Sequence, residues 1–263
     1  MSVADLATLF SGGLIGLTLG VIGGGGSILA VPLLLYVVGV NSTHIAIGTS
    51  AVAVAANAAV GALFHARAHT VKWPCALVFA AAGVTGAFFG AAVGKAVNGQ
   101  VLLALFGVVM VVVGLSTLRK KDDIGDPDVH LDAQSARRLM PSLVGFGVGV
   151  GSLSGFFGIG GGFLIVPGLI GATNMPILFA VGSSLVSVAA FGSATAFSYA
   201  QSGLVDWHVA ALLLTGGVVG ALVGSVLSRK LAARKRMLTY VFAVVVILVG
   251  IYVTYQGAIN LAQ

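Results

Sequence analysis

Two short runs of glycine are the residues in this sequence best suited to hold a small anion. Residues 20–32 (GVIGGGGSILAVP) return as residues 155–167 (GFFGIGGGFLIVP), with seven of thirteen positions identical. Each glycine weakens a helix by about 1 kcal/mol relative to alanine, so both runs predict that a helix stops there. A stopped helix presents unpaired backbone N–H groups and the positive end of its dipole, which together bind anions without a formal charge.

The predicted backbone donors all lie in these two runs. They are Gly23, Gly24, Gly25, Gly26 and Ser27 in the first run, and Gly158, Gly160, Gly161 and Gly162 in the second. An alternative is that the glycines only permit close helix packing, as small residues do in membranes. Their consecutive order, followed in register by Pro32 and Pro167, favours a break. A dinucleotide site is disfavoured, because it needs a preceding strand and a later acid.

Hydroxyl and amide side chains of two other apolar segments could donate to the oxygens of the same anion. The candidates are Thr49, Ser50 and Asn57 in one segment, and Ser183, Ser184, Ser187, Ser193 and Thr195 in the other. Serine and threonine also bond back to their own helix, which gives each of them a purely structural alternative. Asn57 stands out, because a lone amide among alanines is costly unless it contacts a ligand or a neighbouring helix.

Histidines are the titratable residues found near the apolar segments. His44, His65, His69 and His208 all lie at predicted segment ends, which favours placement at the membrane interface over a proton relay. Protons nevertheless stay a candidate coupling ion, since histidine changes charge near neutral pH. The sequence contains no HExxH pattern and a single cysteine, Cys75. We therefore expect no catalytic residues, no metal site, no cofactor and no enzymatic activity.

The composition predicts which elements position these residues. With 58% hydrophobic and 8% charged residues, the chain reads as an all-α polytopic membrane protein. The net charge of +6 does not indicate nucleic-acid binding, because the basic residues cluster between apolar segments, where orientation signals lie. Eight apolar segments are predicted, and they are listed here: 6–40, 45–64, 74–94, 101–118, 141–172, 177–200, 209–227 and 238–255.

The eight segments form two repeats. Ala46–Ser50 (AIGTS) matches Ala180–Ser184 (AVGSS), and Trp73 matches Trp207, at a common offset of 134 residues. Generic apolar similarity would not place tryptophan and glycine in register, so duplication is inferred. We predict a first transmembrane repeat at residues 1–118, a linker at 119–139 and a second repeat at 140–263.

Charge predicts how the repeats are oriented. If the long first and fifth segments are re-entrant glycine-rich hairpins, twelve of the thirteen lysines and arginines lie on one side and only Lys95 lies on the other. Eight full crossings would divide them seven against six, which violates the positive-inside tendency. Each half then has one hairpin and three crossings, so the repeats are inverted and the linker is cytoplasmic.

The paired glycine blocks ending in Val-Pro, the eight-segment layout and the AIGTS and AVGSS stretches resemble the TauE/SafE family of sulfite exporters. The resemblance covers nearly the whole chain. It implies a multi-pass carrier of the bacterial inner membrane for a small sulfur-containing anion, such as sulfite, sulfoacetate or a related organosulfonate. Members differ in substrate and direction, so the resemblance supports the class more firmly than the cargo.

The working hypothesis from sequence is a secondary transporter with alternating access. The two glycine breaks would meet near the membrane midplane and hold the anion there. A passive anion channel could use the same donors without a conformational cycle. A non-transporting scaffold subunit is a third alternative. The partners expected are the anion and the lipid bilayer, whereas the oligomeric state is left open.

Overall fold

The computed structural model describes residues 3–119, 133–158, 162–230 and 235–262. The first half contains α1 (Val3–Ile22), a 3₁₀ stretch (Gly23–Leu29), α2 (Ala30–Leu33), a π-helical turn (Leu34–Val38), α3 (Thr43–Arg67), α4 (Trp73–Ala96) and α5 (Gly99–Arg119). The second half contains α6 (Ala133–Phe157), α7 (Gly162–Thr173), α8 (Ile177–Gln201), α9 (Trp207–Lys230) and α10 (Lys235–Ala262). The all-α prediction is confirmed, since the described residues contain no strand.

Seven of the described helices are long and apolar enough to cross a membrane: α1, α3, α4, α5, α6, α8 and α9. The multi-pass prediction is therefore confirmed. Residues 26–38 and α7 form shorter apolar helical stretches. We call residues 23–38 the first return segment and α7 the second return segment, because each follows a glycine run and runs back along the helix before it.

The reversal at each glycine run is visible in the contacts. Gly168 and Gly171 of α7 lie against Val150 and Phe146 of α6, so the residue numbers run in opposite directions and α6–α7 is a hairpin. In the first half, Gly26 lies against the turn of α1 formed by residues 18 and 19. A straight helix would separate residues seven apart by about 10 Å, so the chain must fold back here.

Helix α6 begins earlier than the apolar pattern predicts. It starts at Ala133 rather than near Pro141, and Pro141 lies inside the helix. The added turns carry Gln134, Arg137 and Arg138, which hydropathy excludes from an apolar segment although a helix accommodates them well. Most of the predicted linker lies outside the described residues.

The first helix of each half packs against a helix of the other half. Gly12 and Gly16 of α1 lie against Leu213 and Gly217 of α9, and the numbers rise together, so these helices are parallel. The equivalent pair is α6 of the second half on α4 of the first, and it is parallel by the same criterion. Glycine permits this close approach, since a side chain at Gly16 would overlap the backbone of Gly217.

Equivalent helices of the two halves also pack on each other in opposite directions. Gly61 of α3 lies against Leu185 of α8, whereas Gly192 lies against Ala55, so α3 and α8 are antiparallel. Helices α5 and α10 are antiparallel by the same criterion. The α3–α8 pair forms the centre of one helical bundle, and the α5–α10 pair forms its flank.

These helix directions define two ends of the bundle. The basic end contains the ends of α3, α5 and α9, with Arg67, Arg119 and Lys230. The Lys95 end contains the end of α4, with Lys95, and the end of α8.

We predict that cysteine labelling will separate the two ends. Ala68 and Gln201 are exposed, at the basic end and the Lys95 end respectively. In a background with the buried Cys75 changed to alanine, A68C and Q201C should each react with a membrane-impermeant maleimide from opposite sides of sealed vesicles. Labelling of both variants from the same side would contradict the directions assigned to the helices.

Candidate functional site

The second glycine break is a tight turn at the end of α6. Gly158 adopts a left-handed φ of 67°, and its N–H donates to the Gly155 carbonyl at 3.2 Å. A left-handed backbone conformation costs other residues about 1–2 kcal/mol, which explains the glycine. A methyl group at Gly158 would also overlap the side chain of Ile47. The predicted donors Gly160 and Gly161 lie outside the described residues, and Gly162 is the first residue of α7.

The position of Gly158 differs from the predicted midplane break. Ile47 is the fifth residue of α3, which is 25 residues long, and Phe156 lies against Gly94 close to the end of α4. The second break therefore lies near the Lys95 end of the bundle. This placement argues against a break halfway along the helices.

The first glycine run follows the end of α1 and folds back along it as a 3₁₀ stretch rather than as an open turn. Gly23–Leu29 is a 3₁₀ stretch that contains the predicted donors Gly23, Gly24, Gly25, Gly26 and Ser27. In a 3₁₀ helix each N–H is directed at the carbonyl three residues earlier, so fewer N–H groups are free than in a full break. Ser27 is completely buried. Gly224 of α9 lies against Leu17, so this run lies near the basic end, opposite Gly158.

Thr49 and Ser183 make equivalent hydrogen bonds between the halves. The Thr49 hydroxyl accepts from the N–H of Asp206 at 2.9 Å, just before α9 begins. The Ser183 hydroxyl accepts from the N–H of Lys72 at 2.9 Å, just before α4 begins. Each hydroxyl thus satisfies a backbone donor at the start of a helix in the other half. This role explains why the AIGTS and AVGSS motifs are repeated, while contact with substrate stays a prediction.

Ser50 and Ser184 bond to their own helices. The Ser50 hydroxyl donates to the Ile47 carbonyl at 2.9 Å, and the Ser184 hydroxyl donates to the Val181 carbonyl at 2.8 Å. Ser50 therefore lies one turn from the residue that contacts Gly158. Both side chains keep an oxygen that can accept, but their protons are already used in this conformation.

Asn57 and Ser187 are buried with polar atoms unsatisfied by the described protein. Asn57 Oδ1 and Ser187 Oγ have no hydrogen-bond partner there. Asn57 lies against Gly217, while Phe191, its equivalent in the second half, lies against Gly83. The repeat therefore places an amide where its counterpart places a phenyl ring. An unsatisfied buried amide is costly, so this position is suited to a polar ligand or a water molecule.

The four candidate histidines lie at or beyond helix ends, as predicted. His44 is the second residue of α3 and His65 is near its end, where Nδ1 lies 2.8 Å from the Thr70 hydroxyl. His69 follows α3, and His208 Nε2 lies 3.1 Å from an Asp5 carboxylate oxygen. Within the described residues, no group of three or more histidines, cysteines and acids could hold a metal ion.

Sequence reasoning found only part of a group of buried polar residues at the Lys95 end, since it named Thr195 as a hydroxyl donor but not Tyr199. Tyr199 and Thr195 are completely buried, and their hydroxyls have no partner among the described residues. The signal available was weak: a tyrosine inside an apolar helix, and the one basic residue assigned to the opposite side. Neither observation indicated that Tyr199 and Lys95 meet.

Apolar helices able to cross a membrane, packed around two glycine-bearing hairpins, define a polytopic helical membrane protein. The chain belongs to the sulfite exporter TauE/SafE family, whose model matches residues 8–253. Membership confirms the resemblance described above and places the chain among membrane transport proteins.

Relatives cover nearly the whole chain. A probable membrane transporter protein of Xylella fastidiosa (strain 9a5c) is 48% identical over 252 residues, which cover 96% of this chain and 95% of the relative. The probable membrane transporter protein YunE of Bacillus subtilis (strain 168) is 29% identical over 93% of this chain and 96% of its own length. No solved structure matches the chain.

Proposed function

We propose that this chain is a secondary transporter that carries a small sulfur-containing oxyanion, such as sulfite or an organosulfonate, across a bacterial inner membrane. Family membership supports the class of cargo. The observation that carries the mechanism is that the 3₁₀ stretch of the first half packs against α7 and α8 of the second. Interrupted helices at an interface between repeats are where secondary transporters bind substrates.

The helices beside the breaks suit an anion. Helices α3 and α8 contain hydroxyls, the amide of Asn57 and the terminal amide of Gln201, but no aspartate or glutamate. Backbone N–H groups and hydroxyls can replace the water around an oxyanion without placing a permanent charge in the bilayer. A carboxylate there would repel the same ligand.

We also propose that the two halves are inverted relative to each other, with the basic end and the linker in the cytoplasm. The antiparallel packing of α3 on α8 and of α5 on α10 supports this arrangement, because equivalent helices of inverted repeats run in opposite directions. The collection of Arg67, Arg119 and Lys230 at one end supports the orientation.

The glycine breaks would then act as two separate holding positions. The first, at Gly23–Gly26, packs near α8 and the basic end. The second begins at Gly158, which packs against Ile47 of α3 near the Lys95 end. Both return segments carry buried apolar residues, among them Ile28 and Leu169. Movement of the return segments relative to each other would pass the anion from one break to the other.

Transport and exchange in proteoliposomes test this proposal. Sulfite, sulfoacetate, taurine, thiosulfate, sulfate and chloride form the panel, each with and without a pH gradient. We expect saturable uptake of a sulfur anion, and faster uptake of labelled anion when unlabelled anion fills the vesicles. Such counterflow is a property of carriers that a simple pore lacks. Non-saturable flux without counterflow would establish a channel. No uptake of any anion in the panel would contradict the choice of cargo.

A further inference from the structure

We propose an additional anion-binding site at the Lys95 end of the bundle. Four residues form it: Lys95 of α4, Thr195 and Tyr199 of α8, and His44 of α3. Of these, only Thr195 is among the side-chain donors predicted from sequence. We call these four residues the Lys95 site. Its ligand is a small oxyanion, held outside the second glycine break. The inference rests on the proposed transport of such an anion.

Lys95 supplies a positive charge that is not paired with a carboxylate among the described residues. Its Nζ lies 3.0 Å from the Ser198 carbonyl and 3.0 Å from the Ser202 hydroxyl, which are both neutral acceptors. Among the described residues, no aspartate or glutamate lies within salt-bridge distance of it. An ammonium has three donors, so one remains for a further acceptor. The half-buried position strengthens its attraction for an anion relative to open water.

Tyr199 brings a buried hydroxyl to the same place. Its side chain is 0% exposed, and Lys95 Nζ lies 5.8 Å from the centre of its ring. The ring of His44 lies 6.5 Å from the same ring, measured between centroids. Tyr199 Oη has no hydrogen-bond partner among the described residues. Buried tyrosine hydroxyls usually have one, so this position is suited to an acceptor from a ligand.

Two further unsatisfied atoms accompany Tyr199 Oη. Thr195 lies one turn earlier on α8, is 0% exposed, and its Oγ1 has no partner in the described protein. His44 Nδ1 is also buried and without a partner there. Each such group costs about 1–3 kcal/mol when it is left unpaired. Three of them lie on Tyr199 and on residues next to it, and Lys95 lies over the Tyr199 ring, so together they indicate a binding site.

The Lys95 site adjoins the second glycine break. His44 and Ile47 are one turn apart on α3, and Ile47 contacts Gly158. Gly48, on the next turn from His44, lies against Tyr199. An anion held here would lie between the surrounding water and the break. The Lys95 site is therefore the position where the anion arrives at, or leaves from, this end of the transporter.

A purely structural role for Lys95 makes a different prediction. Lysine near the end of a helix can stabilise the last carbonyls, and the Ser198 carbonyl is such a group at the end of α8. Loss of that contact would lower stability without changing anion affinity. The test must therefore measure affinity separately at each end of the bundle.

The experiment uses the full-length protein in proteoliposomes sorted by orientation, with sulfite as the probe. We expect K95Q and Y199F to raise the KM for sulfite presented at the Lys95 end by about 10- to 100-fold, as for the loss of one hydrogen bond to a charged group. The maximal rate should be nearly unchanged, and K95R should retain most of the wild-type affinity. K72Q removes a charge at the opposite end and Y255F removes an exposed hydroxyl, and neither should change this KM.

Equal KM values for wild type, K95Q and Y199F would overturn the Lys95 site while leaving transport intact. An equal rise for K72Q would also overturn it, because general surface charge would then be responsible. If wild type moves no sulfite, the proposed function fails for this cargo, and calorimetric binding of sulfite to detergent-purified protein decides the site alone. Binding that K95Q weakens at least tenfold supports it, and no such difference refutes it.

Discussion

A valine in place of Gly151 is expected to prevent stable packing of α6 on α4. The Cβ position of Gly151 overlaps the backbone of Gly83, which cannot move aside as a flexible side chain can. Overpacking normally lowers stability by about 1–3 kcal/mol, and overlap with a backbone should cost at least the upper value. A loss of 3 kcal/mol would lower the melting temperature by about 6–12 °C for a chain of this size.

The matched control lies two residues away on the same helix. Gly149 has no neighbouring atom within 4 Å of its Cβ position, so G149V should melt within about 2 °C of wild type. Melting temperatures of both variants in detergent, read by size-exclusion recovery after heating, provide the comparison. Similar melting of G151V and G149V would contradict the packing of α6 on α4.

Alanine at Gly158 is expected to reduce transport at least tenfold while leaving membrane insertion intact. The variant combines a left-handed φ of 67° with overlap between the new methyl group and Cγ2 of Ile47. The left-handed backbone conformation alone costs alanine about 1–2 kcal/mol, and the overlap with Ile47 adds to this cost. The turn at the second glycine break, where we propose that the anion binds, would therefore be displaced.

Two further variants separate these causes. Gly203 also has a left-handed φ, of 69°, but no neighbour within 4 Å, so G203A should transport within about twofold of wild type. The I47L substitution removes Cγ2 at nearly constant volume and should partly restore transport to G158A. Initial uptake rates, corrected for protein inserted, measure both effects. Normal uptake by G158A would exclude the second break from the transport path.

The helices could be predicted closely because they depend on local apolar length. The segments predicted at 45–64 and 177–200 are observed as Thr43–Arg67 and Ile177–Gln201. Hydropathy needs no knowledge of partners, since each long apolar run must be helical to satisfy its backbone in lipid. The repeat boundaries and the inverted orientation of the repeats stay predictions. The antiparallel pairs α3–α8 and α5–α10 support the inverted orientation.

The candidate site could be predicted only in part, because its residues meet across large separations in sequence. Glycine runs indicated where the chain would turn, but the level of each turn depends on which helix it packs against. Nothing near Thr49 in the sequence indicates that its hydroxyl meets the N–H of Asp206. The meeting of Tyr199 with Lys95 was missed for the same reason, since only the fold brings these two residues together.

The exchange of first helices between the halves has a consequence for biosynthesis. Helix α1 buries its glycine face against α9, whose residues are made about 200 positions later, or about 10–40 s at ordinary translation rates. During that time the first half has no permanent partner for this face. The newly inserted chain must hold an open glycine groove in lipid, or against an insertion factor, until the ninth helix leaves the ribosome. Truncation before α9 should therefore yield a product that the cell degrades, rather than a stable half-transporter.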